Sequence, residues 1–287
     1  MQNKKQWRVI DLIELTAEYF KKHDILSPRL DAELLLGHVM KRNRLQLYLD
    51  FEEIVPEEQL TRYRELVRMR SQRVPVSYLI NNKEFRSLDF YVDENVLIPR
   101  PETEVLVETV LKDKSKNCRL LEIGTGSGTI AISIAKERSG WEIFATDLLP
   151  EVIEVAKHNA QKHGVEKQIS FLQGDLFEPI DPSMRFDWIV SNPPYIASDE
   201  FDNLMPEVRD HEPRIALDGG KDGLNLIRSL IDKAPNFLVS AGRIAIEIGF
   251  NQGDAVKTLV NNNPAYAECE IIQDYSGNDR VIVAFRS

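Results

Sequence analysis

Cysteine is nearly absent. Cys118 and Cys269 are the only two in 287 residues, too few for a disulfide framework or a cysteine-based zinc site. Cys118 stands in an apolar run typical of a buried strand, and both thiols are expected to be inert core residues; no metal is expected. No stretch approaches the ~20 consecutive apolar residues of a membrane span, and Asp11 and Glu14 interrupt the first apolar segment, so neither a membrane partner nor a secretory signal is expected. A cytoplasmic protein follows as the expectation. Basic charge is also short: 36 Lys+Arg against 46 Asp+Glu leave a net charge of −10, which argues against a protein that coats nucleic acid by neutralising phosphates, and no direct sequence-specific binding to nucleic acid is expected. The shortage is uneven. Residues 1–80 carry 14 basic and 12 acidic side chains, residues 81–287 carry 22 and 34, so the front piece is the better candidate for meeting an anionic partner. Glycine and proline, 14 each, beside 43% hydrophobic residues exclude collagen-like, low-complexity and disordered chains. The length suggests about two domains and a core that needs no staple.

The first 75 residues show helical periodicity and almost no strand signal. Leu12, Ile13, Ala17 and Phe20 mark one apolar face. Ser27 followed by Pro28 reads as an N-cap and first helical residue, and Pro56 with Glu57 and Glu58 opens a further helix through Leu60, Leu66 and Val67. A small helical bundle over 1–75 is expected. On its last helix the run Arg62, Arg64, Arg68, Arg70, Arg73 is either a docking patch for an anionic surface or an ordinary solvated face. From 76 to 98 the pattern alternates, with Tyr78, Ile80, Phe85, Leu88, Phe90 and Val92 around Asn81-Asn82, which predicts a β-hairpin linker turning at the two asparagines. Residues 99–287 then alternate short apolar strands with helices: strands at 119–123, 141–146, 168–173, 186–190 and 243–248, helices at 129–136, 151–163 and near 254–260. That succession predicts an α/β fold, a doubly wound Rossmann-like sheet with parallel strands. Two last strands, 268–272 and 280–285, have only Ser276-Gly277-Asn278-Asp279 between them, so the sheet is expected to end in an antiparallel hairpin.

Three strand ends carry chemistry. The run 119–123 leads into Gly124-Thr125-Gly126-Ser127-Gly128 and then a helix. Glycines there let the backbone turn tightly and approach a ligand at the helix N-terminus. The spacing is GxGxG and not the GxGxxG of a dinucleotide fold. Asp147 closes the next strand, where a carboxylate can accept both ribose hydroxyls; the other reading makes it the N-cap of the helix after Pro150. The third strand ends at Gly174-Asp175-Leu176-Phe177. There Asp175 can accept from an exocyclic amine, and Leu176 or Phe177 can flank a flat base.

The fourth strand ends in Asn192-Pro193-Pro194-Tyr195. Two prolines fix an extended turn and remove two N–H donors, leaving carbonyls that can only accept. Such a site suits a substrate that brings NH groups, with Asn192 as a further acceptor and Tyr195 as a face for a planar amide or base. A rigid connector would explain one proline and leaves the rest of the tetrapeptide unexplained.

With these residues the chain resembles the class I S-adenosylmethionine-dependent methyltransferases, and within them the N5-glutamine methyltransferases that modify peptide chain release factors. The resemblance covers 27–36, 97–104 (Leu97-Ile-Pro-Arg-Pro-Glu-Thr-Glu104), 122–128, 192–196, 212–220, Asp222-Gly-Leu224 and Glu247-Ile-Gly249 with Gln252. Leu176 stands where some relatives carry an aromatic. The resemblance implies S-adenosyl-L-methionine as cofactor, held by Gly124, Thr125, Gly126, Ser127, Gly128, Asp147, Asp175 and Leu176, with Asn192 beside it. It implies a glutamine in a Gly-Gly-Gln loop of a release factor as substrate, held by Asn192, Pro193, Pro194 and Tyr195, with the helical domain helping to dock the protein. By the same resemblance Arg100, Glu102 and Thr103 lie near the methionine end of the cofactor; on sequence alone they equally form a proline-bounded loop. Glu212 and Pro213 are expected to brace the Asn192–Tyr195 turn. An amide nitrogen is a poor nucleophile, so alignment, exclusion of water and acceptors for its N–H groups are the catalyst's tasks, with no dedicated base. The rivals are an adenine-N6 methyltransferase, which needs a basic cleft that a net −12 over 81–287 does not favour, a glutamine methyltransferase of a ribosomal protein, and a non-catalytic cofactor-binding module.

Overall fold

A computed structural model describes residues 6–287, which divide into two units, residues 6–82 with 205–211 and residues 83–204 with 212–287. In the first unit α1 (Val9–Lys21) begins where the Asp11 carboxylate takes the Arg8 amide and guanidinium, at 3.3 and 2.9 Å. Its buried stripe, Val9, Leu12, Ile13, Thr16, Ala17 and Phe20, has helical spacing. α2 (Pro28–Met40) starts at Ser27 and Pro28, although the Ser27 hydroxyl makes no capping bond; proline's fixed φ sets that end. α3 (Arg44–Leu49), α4 (Glu57–Ser71) and the single turn α5 (Val76–Leu79) complete a bundle around Phe20, Leu35, Leu36 and Tyr63.

The Arg62–Arg73 run is not one surface. Arg62 and Arg64 are exposed and reach Glu58 and Glu57 at 3.4 and 3.6 Å, pairs that contribute little in water, and Arg68 is exposed as well. Arg70 is 6% exposed, with its Nε on the Asp31 carboxylate at 2.7 Å. The hairpin expected around Asn81-Asn82 also lies elsewhere. The chain after Pro75 makes the turn α5, Asn81 ends it in the left-handed region at φ 49°, and the Asn82 amide returns to the Ser77 carbonyl at 3.0 Å.

In the second unit the hairpin pairs β1 (Lys83–Phe85) with β2 (Leu88–Phe90) through Arg86 and Ser87, both at positive φ, the two-residue turn that matches strand twist. Then follow α6 (Glu104–Leu111), β3 (Arg119–Ile123), α7 (Thr129–Glu137), β4 (Glu142–Asp147), α8 (Pro150–His163), β5 (Ile169–Gln173) and β6 (Phe186–Ser191). The short α9 (Pro206–His211) belongs to the first unit, where Glu207 Oε1 takes Arg70 Nη2 at 3.0 Å and Arg73 Nη1 at 3.1 Å. α10 (Asn225–Lys233), β7 (Leu238–Glu247), α11 (Gly253–Asn261), β8 (Tyr266–Gln273) and β9 (Asp279–Arg286) finish the chain.

The seven-stranded sheet has the order β5-β4-β3-β6-β7-β9-β8; β3 to β7 run parallel, while β9 is antiparallel to both β7 and β8. The doubly wound sheet with a terminal antiparallel hairpin is therefore present. Period-two alternation gives it two cores: Leu120 of β3 packs with α6 and α7, whereas Leu121 and Ile123 pack with α10 and α11. Cys118 is buried as expected, but Cys269 is only half-buried, because it lies on the edge strand β8. From β3 the chain winds outward to β5 and returns to β6 on the other side of β3. The strand order reverses there, and side chains at the carboxyl ends of β3 and β6 face a crevice.

Candidate active site

A cavity of about 290 Å³ opens at that reversal. Its lining joins the glycine loop after β3 (Gly124, Thr125, Gly126, Ser127), Asp147 after β4, Asp175 and Leu176 after β5, and Asn192, Pro193 and Pro194 after β6, together with Arg100 and Thr103. Four strand ends far apart in sequence thus meet at one place. Gly128, Glu102 and Tyr195 stand outside the lining. Gly128 caps α7 in the left-handed region, Glu102 is exposed, and Tyr195 packs against the second core. Phe177 is in that core too, stacked on Phe237 at 4.8 Å, so no face of it is free for a base.

The loop's geometry follows from its glycines. Gly124 and Gly126 hold φ of 73° and 55°, and a Cβ on either would point into open space; the backbone demands glycine there while the cleft stays clear. The Gly124 and Thr125 amides bind the Thr146 carbonyl at 2.9 and 3.0 Å, which ties the loop to β4. Asp147 Oδ2 takes the Gly126 amide at 2.9 Å and Oδ1 the Leu148 amide at 2.8 Å. Asp147 does not cap α8, whose N-cap is Leu149, and its carboxylate lines the cavity while holding neighbouring backbone amides. Burial raises its carboxyl above the usual range against those amides.

Behind the loop, Glu122 is wholly buried. Its Oε2 accepts from Thr125 Oγ1 at 2.8 Å and the Ala131 amide at 3.1 Å, whereas Oε1 has no partner among the described residues. Burial pushes this carboxyl up to about 8. An apolar wall of Leu148, Leu149, Val152 and Leu176 completes the cleft beside Asp147. Carboxylate, open glycine backbone and apolar slot fit a nucleoside with a charged tail, as S-adenosyl-L-methionine is. Of that wall, only Leu176 was read from sequence. Leu148 and Leu149 directly follow Asp147 and Val152 comes one helical turn later, a signal that adjacency offers. Ile215 and Ala216 also line the cleft, and only the resemblance over 212–220 pointed there.

At the Asn192 end, Asn192 Nδ2 donates to Thr103 Oγ1 at 3.1 Å. Glu212, 6% exposed, takes Arg100 Nη2 on Oε1 at 2.6 Å and the Ile98 amide on Oε2 at 3.2 Å. It therefore ties down the 98–100 segment. The Tyr195 carbonyl accepts from Gln252 Nε2 at 3.0 Å, and Gly223 passes so close that a Cβ there would stand 2.2 Å from the same carbonyl.

A doubly wound sheet with a glycine loop and acids at successive carboxyl ends is the frame of a methyltransferase, and residues 114–284 match the family described as methyltransferase domain. Residues 11–80 match the PrmC N-terminal domain. A release factor glutamine methyltransferase of Rhodopirellula baltica is 40% identical over 286 residues, covering 98% of this chain and 97% of its own. One of Moorella thermoacetica is 41% identical over 261 residues, 90% of this chain and 92% of its own. A methyltransferase structure from Pyrococcus furiosus shares the fold with a TM-score of 0.55 at 20% identity, over 76% of this chain and 98% of that one. The chain belongs to the release factor glutamine methyltransferase family. Among the described residues no helix is long and apolar enough to cross a membrane.

Proposed function

We propose that the chain transfers a methyl group from S-adenosyl-L-methionine to the side-chain amide nitrogen of the glutamine in the Gly-Gly-Gln loop of a peptide chain release factor, with Asn192 and the Pro193 carbonyl receiving that amide. The observation that carries this reading is the Asn192 side chain: its Nδ2 is engaged by Thr103, which leaves Oδ1 to accept at the cleft. When bound, the cofactor supplies a sulfonium-activated methyl and leaves as a neutral thioether. Asp147 and the glycine loop hold the donor, and the Asn192–Pro194 turn offers acceptors and no backbone N–H from its prolines. Acceptors that bind the substrate's N–H groups favour the positive charge that develops on nitrogen during transfer. A methylated amide nitrogen is acidic enough to release its extra proton to those acceptors or water. Incubation with methyl-labelled cofactor and purified release factor, followed by mass spectrometry, should place one methyl on the Gly-Gly-Gln peptide. Label on a ribosomal protein or on nucleic acid instead would assign the chemistry to another substrate.

Docking of the release factor is assigned to the exposed part of the arginine run. Charge reversal at Arg64 and Arg68 should raise the apparent KM for the intact factor severalfold and leave cofactor affinity alone. Equal KM values would return this face to plain solvation.

A further inference from the structure

Gly223, Gly249 and Gln252 belong to stretches that carry the family resemblance, yet they stand outside the cavity lining and no step above uses them. The structure gathers all three around the Tyr195 carbonyl. β6 and β7 run parallel up to the level of Ser191 and Ile246, and beyond that rung their backbones no longer pair. Gln252, the N-cap residue of α11 and 9% exposed, spans the two exits with its side-chain amide. Its Oε1 accepts from the Gly249 amide at 2.8 Å, while its Nε2 donates to the Tyr195 carbonyl at 3.0 Å and lies 3.5 Å from the Gly223 carbonyl. An amide side chain carries acceptor and donor side by side, as a peptide does, so Gln252 adds one more rung where the sheet has ended.

The glycines make room for that rung. Gly223 holds φ at 73°, and a Cβ on it would stand 2.2 Å from the Tyr195 carbonyl oxygen and 2.6 Å from Gln252 Nε2; a Cβ on Gly249 would stand 3.0 Å from Gln252 Oε1. One residue further on, the Ile196 amide donates to the Leu217 carbonyl at 3.0 Å and the Ile196 carbonyl takes the Gly219 amide at 2.9 Å. At the opposite end of the turn, Asn192 Nδ2 rests on Thr103 Oγ1 at 3.1 Å. Between these fastenings stand only Pro193 and Pro194, whose rings fix φ and which have no N–H to tie down. The direction of the Pro193 carbonyl is therefore set from the flanks.

We propose that Gln252 is a positioning residue for methyl transfer: its amide, seated by Gly223 and Gly249, clamps the Tyr195 carbonyl and so holds the Asn192–Tyr195 turn in the orientation that presents its acceptors to the substrate. The proposal rests on the reading of that turn as the receiver of the substrate amide. Because Gln252 does not line the cleft, its removal acts on the rate of transfer and leaves cofactor affinity alone.

Two variants test the clamp. Gln252→Glu keeps the size and the acceptor for Gly249 but puts an oxygen in place of the donor that faces the Tyr195 carbonyl; Gln252→Met keeps the bulk and removes both groups. In single-turnover methylation of purified release factor at saturating concentrations, each should transfer methyl about tenfold or more slowly, the cost of a small misplacement at the reacting centre, with calorimetric cofactor Kd near wild type. A purely structural Gln252 would instead lower the melting temperature and leave transfer at the wild-type rate in the folded chain. Wild-type transfer in both variants, or a loss of cofactor affinity as large as the loss of rate, overturns the clamp. When Asn192→Ala is slow beside Gln252 variants of wild-type rate, the clamp alone falls and the receiving role of the turn stands; wild-type turnover in Asn192→Ala overturns that role and the clamp with it. If neither Gln252 variant folds, the residue is an element of stability and the proposal is overturned.

Discussion

Asn192→Ala should fold, bind S-adenosyl-L-methionine with nearly unchanged affinity, and transfer methyl at least about 10² times more slowly than the parent chain. The magnitude is that of losing one preorganised polar contact to charge that appears only in the transition state. The side chain that disappears touches Thr103 and the cleft and is not part of either core, so little stability is at stake. If Asn192 were a turn residue alone, the pattern would invert, with a lower melting temperature and ordinary turnover. Single-turnover rates read beside melting curves separate the two, and parental turnover would remove Asn192 from the mechanism.

Asp147→Ala should weaken cofactor binding roughly 10- to 100-fold, the size expected from hydrogen bonds to a charged acceptor at about 1.5–3 kcal/mol, while the chain stays folded. Part of that loss is indirect. Asp147 also holds the Gly126 and Leu148 amides, so alanine frees the loop as well as the ligand. Asp147→Asn keeps an acceptor for one of these amides and should fall between the two. Calorimetry on all three chains gives the order; equal affinities would take Asp147 out of the site.

The catalytic sheet was legible because strands buried on both faces must be short apolar runs. The apolar run 119–123 marks β3 at its observed bounds, and the glycine loop, Asp147, Asp175 and Asn192 follow strand ends that the sequence alone shows. Helix α10 went unread although Ile227, Leu230 and Ile231 have the spacing of a buried stripe. β7 was begun at Arg243, five residues late, because Ala241 at φ 60° and a register shift against β6 break its alternation. The hairpin turn was misplaced for a simpler reason: Tyr78 and Ile80 alternate as a strand would, and four residues are too few to show a helical period. What no pattern carries is side-chain partnership across sequence. Arg70 looked like one of five surface arginines until Asp31 and Glu207 closed around it. Asn192 and Thr103 are 89 positions apart, and neither one implies the other in the linear chain.

Helix α9 has a consequence for anyone dividing this protein. The polypeptide changes unit three times, after Asn82, after Leu204 and after His211, so no single cut yields two separable modules. A fragment starting at Lys83 would carry Glu207 without Arg70 and Arg73, and a fragment ending at Asn82 would keep both arginines without their acid. Recombination that swaps the front piece between relatives must carry the seven residues 205–211 along with it, and limited proteolysis at 196–204 would nick the chain without releasing a domain.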